Sequence, residues 1–249
     1  VAHSATGAGV LAYIRLATSM SLSTPSNPPS ADRAWAQAPP ELEIAANALH
    51  VWRADLLAVE EELLGSLSAA ELERAGRILS ARERRLWRGA RAILRALLGR
   101  YVACDPGSLR FGSGPYGKPS LLGAPAELRF NVSHSGALAL YAFSASGAVG
   151  VDVEVSRRRS DVLRVAARVL GAGEARRIGE LDESRREHEF LRAWVRHEAR
   201  LKCAGTGIGN RARIGAEPWI AELEPAPGAA AAVAAAHPVS ELRCWDWRR

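Results

Sequence analysis

From Gly150 to Val155 the chain reads Gly-Val-Asp-Val-Glu-Val, and this strict alternation of valines with carboxylates admits few structures. A period of two is the strand period, so Val151, Val153 and Val155 turn to one face and Asp152 and Glu154 to the other. Two residues along a strand, the carboxylates stand roughly 7 Å apart. That suits a single hard cation, because Mg²⁺ takes one or two protein carboxylates at about 2 Å and leaves its other positions to water and substrate phosphate. The solvated outer face of an edge strand carries the same pattern, so the alternation fixes a strand and leaves its chemistry open.

Two further stretches narrow the chemistry. Asn131-Val132-Ser133-His134-Ser135-Gly136 sets an imidazole between two hydroxyls, just ahead of the strand-like Ala137–Phe143. Such groups can cradle phosphate, or form a polar turn whose serines bond their own backbone. Downstream, the run from Phe190 to Lys202 holds good helix formers and meets no Gly or Pro until Gly205. Trp194, Glu198 and Lys202 fall four apart and line one stripe of that helix. A Glu and a Lys at that spacing are usually an exposed pair worth only a few tenths of a kcal/mol. The tryptophan on the same stripe and the glycine-rich stop Gly205-Thr206-Gly207-Ile208-Gly209 argue for more.

In order and spacing, Gly117-Lys118-Pro119, Phe130–Ser135, Gly150–Glu154, the W-x-x-x-E-A-x-x-K pattern from Trp194 to Lys202 and the following G-x-G resemble the 4′-phosphopantetheinyl transferases. The resemblance is greatest to the larger, pseudodimeric class and runs from about His50 onward. It implies an α+β fold of two similar α/β lobes related by a pseudo-twofold, residues 48–147 and 148–249, with the active site between them. It implies transfer of the phosphopantetheine arm of coenzyme A to a serine of an apo acyl or peptidyl carrier protein, with release of 3′,5′-ADP. Charge builds on the pyrophosphate in such a reaction, so a cation, basic clamps and a base are needed.

The same resemblance distributes the roles. Asp152, Glu154 and Glu198 would hold Mg²⁺, with Mn²⁺ equally suited to an oxygen-rich site. Asp152, Glu198 and Lys202 are the catalytic group: Glu198 takes the serine proton, directly or through water, and Lys202 neutralises the departing oxygen. Ser133 and His134 position the phosphates. Gly117, Lys118 and Pro119 lie by the adenine with the lysine near phosphate, and Arg91 meets the 3′-phosphate. Arg157, Arg158, Arg159, Arg164 and Arg168 would face the acidic helix of a carrier, although a generic basic surface accounts for them equally well. One departure stands out: His197 occupies the place of a usual lysine before the helix glutamate, and an imidazole near pKa 6.5 is less reliably charged.

Composition bears on what else the chain could do. With 249 residues, 48% of them hydrophobic, it can bury a substantial core. No run of about twenty apolar residues marks a membrane span. Cys104, Cys203 and Cys244 are isolated, which suits a reducing cytoplasm and neither a disulfide scaffold nor a zinc ribbon. A net charge of +6 attracts acidic partners: nucleic acid, an acidic carrier protein or a highly phosphorylated cofactor. A metal-dependent nuclease is the rival reading, since acidic pairs with Glu and Lys serve those enzymes too. Against it, E-x-x-x-K lies on a helix rather than beside the acidic strand, and nothing interleaves basic and aromatic residues as a nucleic-acid groove would. A non-catalytic relative that binds coenzyme A is the third reading, supported by His197 alone. The expectation is therefore a cytoplasmic enzyme, monomeric with internal pseudo-symmetry, binding neither nucleic acid nor membrane.

Residues 1–47 read differently. Ser19–Ser30 and Pro39-Pro40 are rich in Ser, Pro and Asn, and disorder is expected up to about Ile44. Val10–Leu16 suggests a signal peptide but is short and interrupted by Arg15; another expectation is that the natural start lies nearer Met20, the only methionine. Ala48–Leu56 alternates like a first strand, and Ser68-Ala69-Ala70-Glu71 is a capping box opening an Arg-, Leu- and Ala-rich helical stretch that reaches Tyr101. Asp105-Pro106-Gly107 stops it, and Leu109–Phe111 reads as a short strand. Helices are expected from about Asp161 to Leu170 and over Gly173–Arg186, and strands at Trp219–Leu223 and Glu241–Trp247. The alanine tract Gly228–Ala236 has helix propensity, yet the family places a strand there.

Overall fold

A computed structural model of the protein describes residues 35–113, 118–123, 128–156, 161–205 and 217–248. Within them the elements run β1 (Ala36–Gln37), β2 (Ala48–Asp55), α1 (Glu61–Leu64), α2 (Ala69–Gly76), α3 (Ala81–Val102), a 3₁₀ turn (Pro106–Ser108), β3 (Arg110–Ser113), β4 (Pro119–Leu122), β5 (Arg129–Ser135), β6 (Leu138–Ser144), β7 (Val149–Val155), α4 (Val162–Val169), α5 (Ala172–Gly179), α6 (Glu183–Ala204), β8 (Trp219–Leu223), β9 (Ala229–Ala235) and β10 (Glu241–Asp246). The architecture is mixed α+β. Among the described residues no helix is long and apolar enough to cross a membrane.

The capping box forms as its sequence predicts: Ser68 N–H donates to Glu71 Oε2 at 2.9 Å, and Glu71 N–H to Ser68 Oγ at 3.3 Å. The helix it opens is only α2. A second serine, Ser80, accepts from Glu83 N–H and starts α3, so the expected run from Glu71 to Tyr101 is two helices. Likewise the stretch expected as one helix over Gly173–Arg186 divides between α5 and the first turn of α6, with Asp182 at the N-cap of α6.

The strands form two principal sheets. The first has the order β1-β10-β2-β6-β5, with β10 parallel to both β1 and β2. The second has the order β7-β9-β8 and is antiparallel throughout. β3 and β4 make a separate hairpin. Alternation along each strand sorts side chains into layers. On β2 and β6, Ala48, Trp52, Ala54, Ala139, Tyr141 and Phe143 face α3, while Leu49, Val51, Leu140 and Ala142 meet Val149, Val151 and Val153 of the second sheet. The outer side of that second sheet carries Ala230, Ala232 and Ala234, covered by α6 with α4 and α5. The layer order is helix, sheet, sheet, helix.

Two features cross the division expected at 147/148 and the limit of disorder expected near Ile44. β10, late in the chain, completes the sheet of the first half. Part of the segment assigned to a disordered extension is packed: β1 pairs with β10, Ile44 is buried in the core beneath α3, and Arg100 donates to Pro39 O at 2.8 Å. The physical reason is that Leu42 and Ile44 add apolar surface to a core that a Ser- and Pro-rich composition conceals. Residues 1–34 lie outside the described residues.

Candidate active site

β7 presents the acidic pair as the alternation requires. Val149, Val151 and Val153 enter the core between the sheets, and Asp152, 4% exposed, lies on the opposite face beneath α6. A solvated edge-strand face is thereby ruled out for Asp152. What brings α6 so close is Gly150: a Cβ there would sit 2.2 Å from Ala199 O and 2.3 Å from Cys203 N. Strand and helix backbones are in contact at this point, which only glycine permits.

Among the described residues the other edge of β7 has no strand partner, and it is met by side chains of the first half. Asn131 Oδ1 accepts from Val151 N–H at 2.8 Å, and Ser135 Oγ accepts from Val155 N–H at 3.1 Å. Lys118 Nζ donates to Val149 O at 2.8 Å. Backbone groups that an edge would leave unpaired are thus satisfied across the junction of the two halves.

At this junction the expected residues converge. Ser133 Oγ donates to Asp152 Oδ1 at 2.9 Å, and Lys202 Nζ donates to both, at 2.9 Å to Ser133 Oγ and 2.5 Å to Asp152 Oδ1. Ser135 Oγ donates to Glu154 Oε2 at 2.9 Å. Glu198, 5% exposed, faces them from α6 one turn before Lys202. Burial, and after it the neighbouring charge of Asp152, pushes the Glu198 carboxyl above the ordinary glutamate range, with Lys202 opposing. Asp152 Oδ2 and Glu198 Oε1 are buried and accept no hydrogen bond.

Unpaired buried carboxylate oxygens are costly, and a cation is one of the few things that satisfies two at once. Among the described residues no group of three or more His, Cys, Asp or Glu converges tightly enough to hold a metal alone. The donor set therefore fits an ion that takes one or two carboxylates and completes its shell with water and phosphate, which is how Mg²⁺ binds. Asp152 and Glu198 are the pair with free buried oxygens; Glu154 has Oε2 engaged by Ser135.

Other expected residues stand apart. His134 alternates with Ser133 and Ser135 along β5, so its exposed ring projects from the opposite face, within electrostatic reach of Glu83 on α3 and of Lys202. Arg91 on α3 is ion-paired with Glu71 and lies over the ring of Phe111 at 3.6 Å from its centroid. Glu71 also receives Arg95 Nε at 2.8 Å, and these bonds outweigh burial to hold its carboxyl below the usual range. Lys118 is committed to carbonyls, with Lys202 O at 2.7 Å as its second acceptor, and burial lowers its ammonium pKa. Pro119 begins β4. Gly117, Arg157–Arg159 and the G-x-G at Gly207–Gly209 lie outside the described residues.

Sequence reasoning gave no role to Gly150 or Asn131, and saw Ser135 only as one hydroxyl of a phosphate cradle rather than as the partner of Val155 N–H and Glu154. A glycine inside a strand pattern signals close backbone approach, so Gly150 was legible. Asn131 and Ser135 act through tertiary contacts that no local spacing announces.

Residues 148–246 match the model of the 4′-phosphopantetheinyl transferase superfamily. The chain is 36% identical over 197 residues to the 4′-phosphopantetheinyl transferase HetI of Nostoc sp., a match covering 77% of this chain and 82% of that protein. It is 24% identical over 149 residues to the 4′-phosphopantetheinyl transferase of Bacillus subtilis, covering 60% and 65%. With the 4′-phosphopantetheinyl transferase AcpT of Salmonella typhimurium it shares 39% identity over 95 residues, covering 37% and 47%.

Proposed function

The chain belongs to the 4′-phosphopantetheinyl transferase superfamily, and we propose that it moves the phosphopantetheine arm of coenzyme A onto a serine of an apo acyl or peptidyl carrier protein. The observation that carries this reading is the pair of free buried oxygens, Asp152 Oδ2 and Glu198 Oε1, beside the Ser133–Lys202 contact.

Asp152 and Glu198, with Glu154 beside them, would hold Mg²⁺ or Mn²⁺. The ion supplies charge neutralisation at the pyrophosphate. The chain's own residues do the rest. Glu198, its proton affinity raised by burial, accepts the proton of the carrier serine, directly or through water. The serine oxygen forms its bond to the β-phosphorus as the bond from that phosphorus to the bridging oxygen breaks. The leaving group is 3′,5′-ADP, and Lys202, an ammonium already positioned by Ser133, takes up its developing charge. Ser133 and His134 bear on the phosphates from the two faces of β5. Arg91 and main-chain groups of the Gly117-Lys118-Pro119 motif hold the nucleotide end; Arg91 must exchange Glu71 for phosphate to do so. α4, whose Arg164 and Arg168 are exposed, faces the acidic carrier, with Arg157, Arg158 and Arg159 preceding it in sequence. The halves, α3 on the first sheet and α6 on the second, are read as pseudo-twofold relatives within a cytoplasmic monomer.

Intact mass measurement of an apo acyl carrier protein incubated with this protein, coenzyme A and Mg²⁺ tests the reading. A mass gain of one phosphopantetheine group, lost with chelator and in Asp152→Ala, supports it. No gain on acyl or peptidyl carriers, from folded protein that binds coenzyme A, overturns it.

A further inference from the structure

We infer that Lys118 is a positioning residue, fastening the last turn of α6 to the edge of β7 and so fixing where Glu198 and Lys202 stand against Asp152; the kinetic part of this inference rests on the transferase reading. The ammonium donates to Val149 O at 2.8 Å and to Lys202 O at 2.7 Å, one acceptor on the strand and one on the helix.

The two acceptors matter because of where they lie. The last four carbonyls of a helix have no partner within it, and a cation at that end meets the negative pole of the helix. Lys202 O belongs to that last turn, which Gly205 ends in a left-handed conformation by donating to Leu201 O. Val149 O lies on the edge of β7 that no strand covers among the described residues, in the same row as the groups met by Asn131 and Ser135. Of those three side chains, Lys118 is the one that also reaches α6.

The fastening is applied where slack would do most harm. At Gly150 the two backbones already touch, so helix and strand have one closest position and freedom only to separate or slide. Cys203 Sγ meets Ala148 O at 3.3 Å on the same turn, and Ser156 Oγ donates to Glu187 Oε1 at 2.6 Å near the other end of the helix. Lys202 is consequently held twice by the first half, at its carbonyl by Lys118 and at its ammonium by Ser133. An ammonium with two of its three protons on buried carbonyls is poorly free to follow a phosphate.

Lys118→Met, which keeps the stem and removes the donors, and Lys118→Arg, which keeps a cation of different reach, separate the tether from a direct phosphate contact. Two quantities are read in each: steady-state constants for coenzyme A with an apo carrier, and hydrogen exchange of the amides at 199–205 in metal-free protein. The tether predicts that Lys118→Met lowers kcat by about tenfold to a hundredfold while KM for coenzyme A moves by less than about twofold. It also predicts that those amides exchange about tenfold faster, and that Lys118→Arg recovers part of both. A raised KM with kcat and exchange unchanged overturns the tether in favour of phosphate binding. If the wild-type protein does not turn over any carrier, the transferase reading fails and exchange alone decides the tether. If Lys118→Met does not fold, Lys118→Arg decides it: wild-type exchange and kcat with a raised KM overturn it, and intermediate exchange with lowered kcat supports it.

Discussion

Two helices of 22 residues each, α3 and α6, cover opposite outer faces of the sheets and are packed by opposite means. α3 sets Leu86, Ile93, Leu94, Leu97 and Leu98 against Trp52, Phe130, Tyr141 and Phe143. The polar atoms of Trp52, Tyr101 and Tyr141 in that layer are matched: Trp52 Nε1 donates to Tyr101 Oη at 3.0 Å, Tyr101 Oη pairs with His50 Nδ1 at 2.9 Å, and Tyr141 Oη donates to Ala90 O at 3.0 Å. α6 rests on Gly150, Ala230, Ala232 and Ala234 through Ala193, Val195, Ala199 and Cys203. Here two carboxylate oxygens are left unmatched. Large side chains hold a helix away from its sheet and bury much apolar area; small ones let the backbones meet and set functional groups at a fixed separation.

The sharpest way to break the contrast is Glu198→Gln. Transfer should fall by at least about a hundredfold, while thermal unfolding in chelator is unchanged or shifted upward, because a buried carboxylate without a partner has gone. A large loss of stability would mean that Glu198 is packed as the residues under α3 are. The converse substitution, Leu97→Ala, should cost about 2–5 kcal/mol in denaturant unfolding and leave kcat of the folded fraction near wild type. Gly150→Ala couples the two properties. The added methyl forces α6 outward, costing about 1–3 kcal/mol, and activity and stability fall together; a variant that loses neither would show that the backbones are not in contact. The smallest effect concerns His50, whose imidazole burial, and then Arg243, lower to about 3. The unfolded chain binds the proton more readily between about pH 6.5 and that value, so stability is complete above the unfolded pKa and is lost as pH falls, by at most about 1.4 kcal/mol per pH unit from this group. His50→Phe should flatten the slope between pH 6.5 and 5, and an unchanged slope would place the acid sensitivity elsewhere.

Local pattern carried much of this. The period of two in Gly150–Val155 set the correct faces of β7, the four-residue spacing of Trp194, Glu198 and Lys202 put the latter two on the turns that reach Asp152, and Ser68 with Glu71 capped a helix as written. Local propensity failed where tertiary fit overrides it. β9 is seven residues of Ala and Val that favour a helix by composition, yet α6 can approach the second sheet only over side chains that short. Ser80 with Glu83 writes a second N-cap in the sequence, and it divides the Arg-, Leu- and Ala-rich stretch into α2 and α3. The carbonyl partners of Lys118 and the pairing of β10 depend on contacts between residues far apart, which no window of sequence contains.

The place of β10 between β1 and β2 has a consequence for synthesis. β2 is translated well before its parallel neighbour, which follows only after β7, α6 and β9. Throughout that interval the nascent first half displays an open strand edge, the kind of surface that pairs with the wrong chain, and closing it requires a contact of long sequence separation, which is slow to form. Closure of the β2 edge thus waits until β10 has been made, and a messenger cut anywhere before β10 encodes a first half whose sheet stays open.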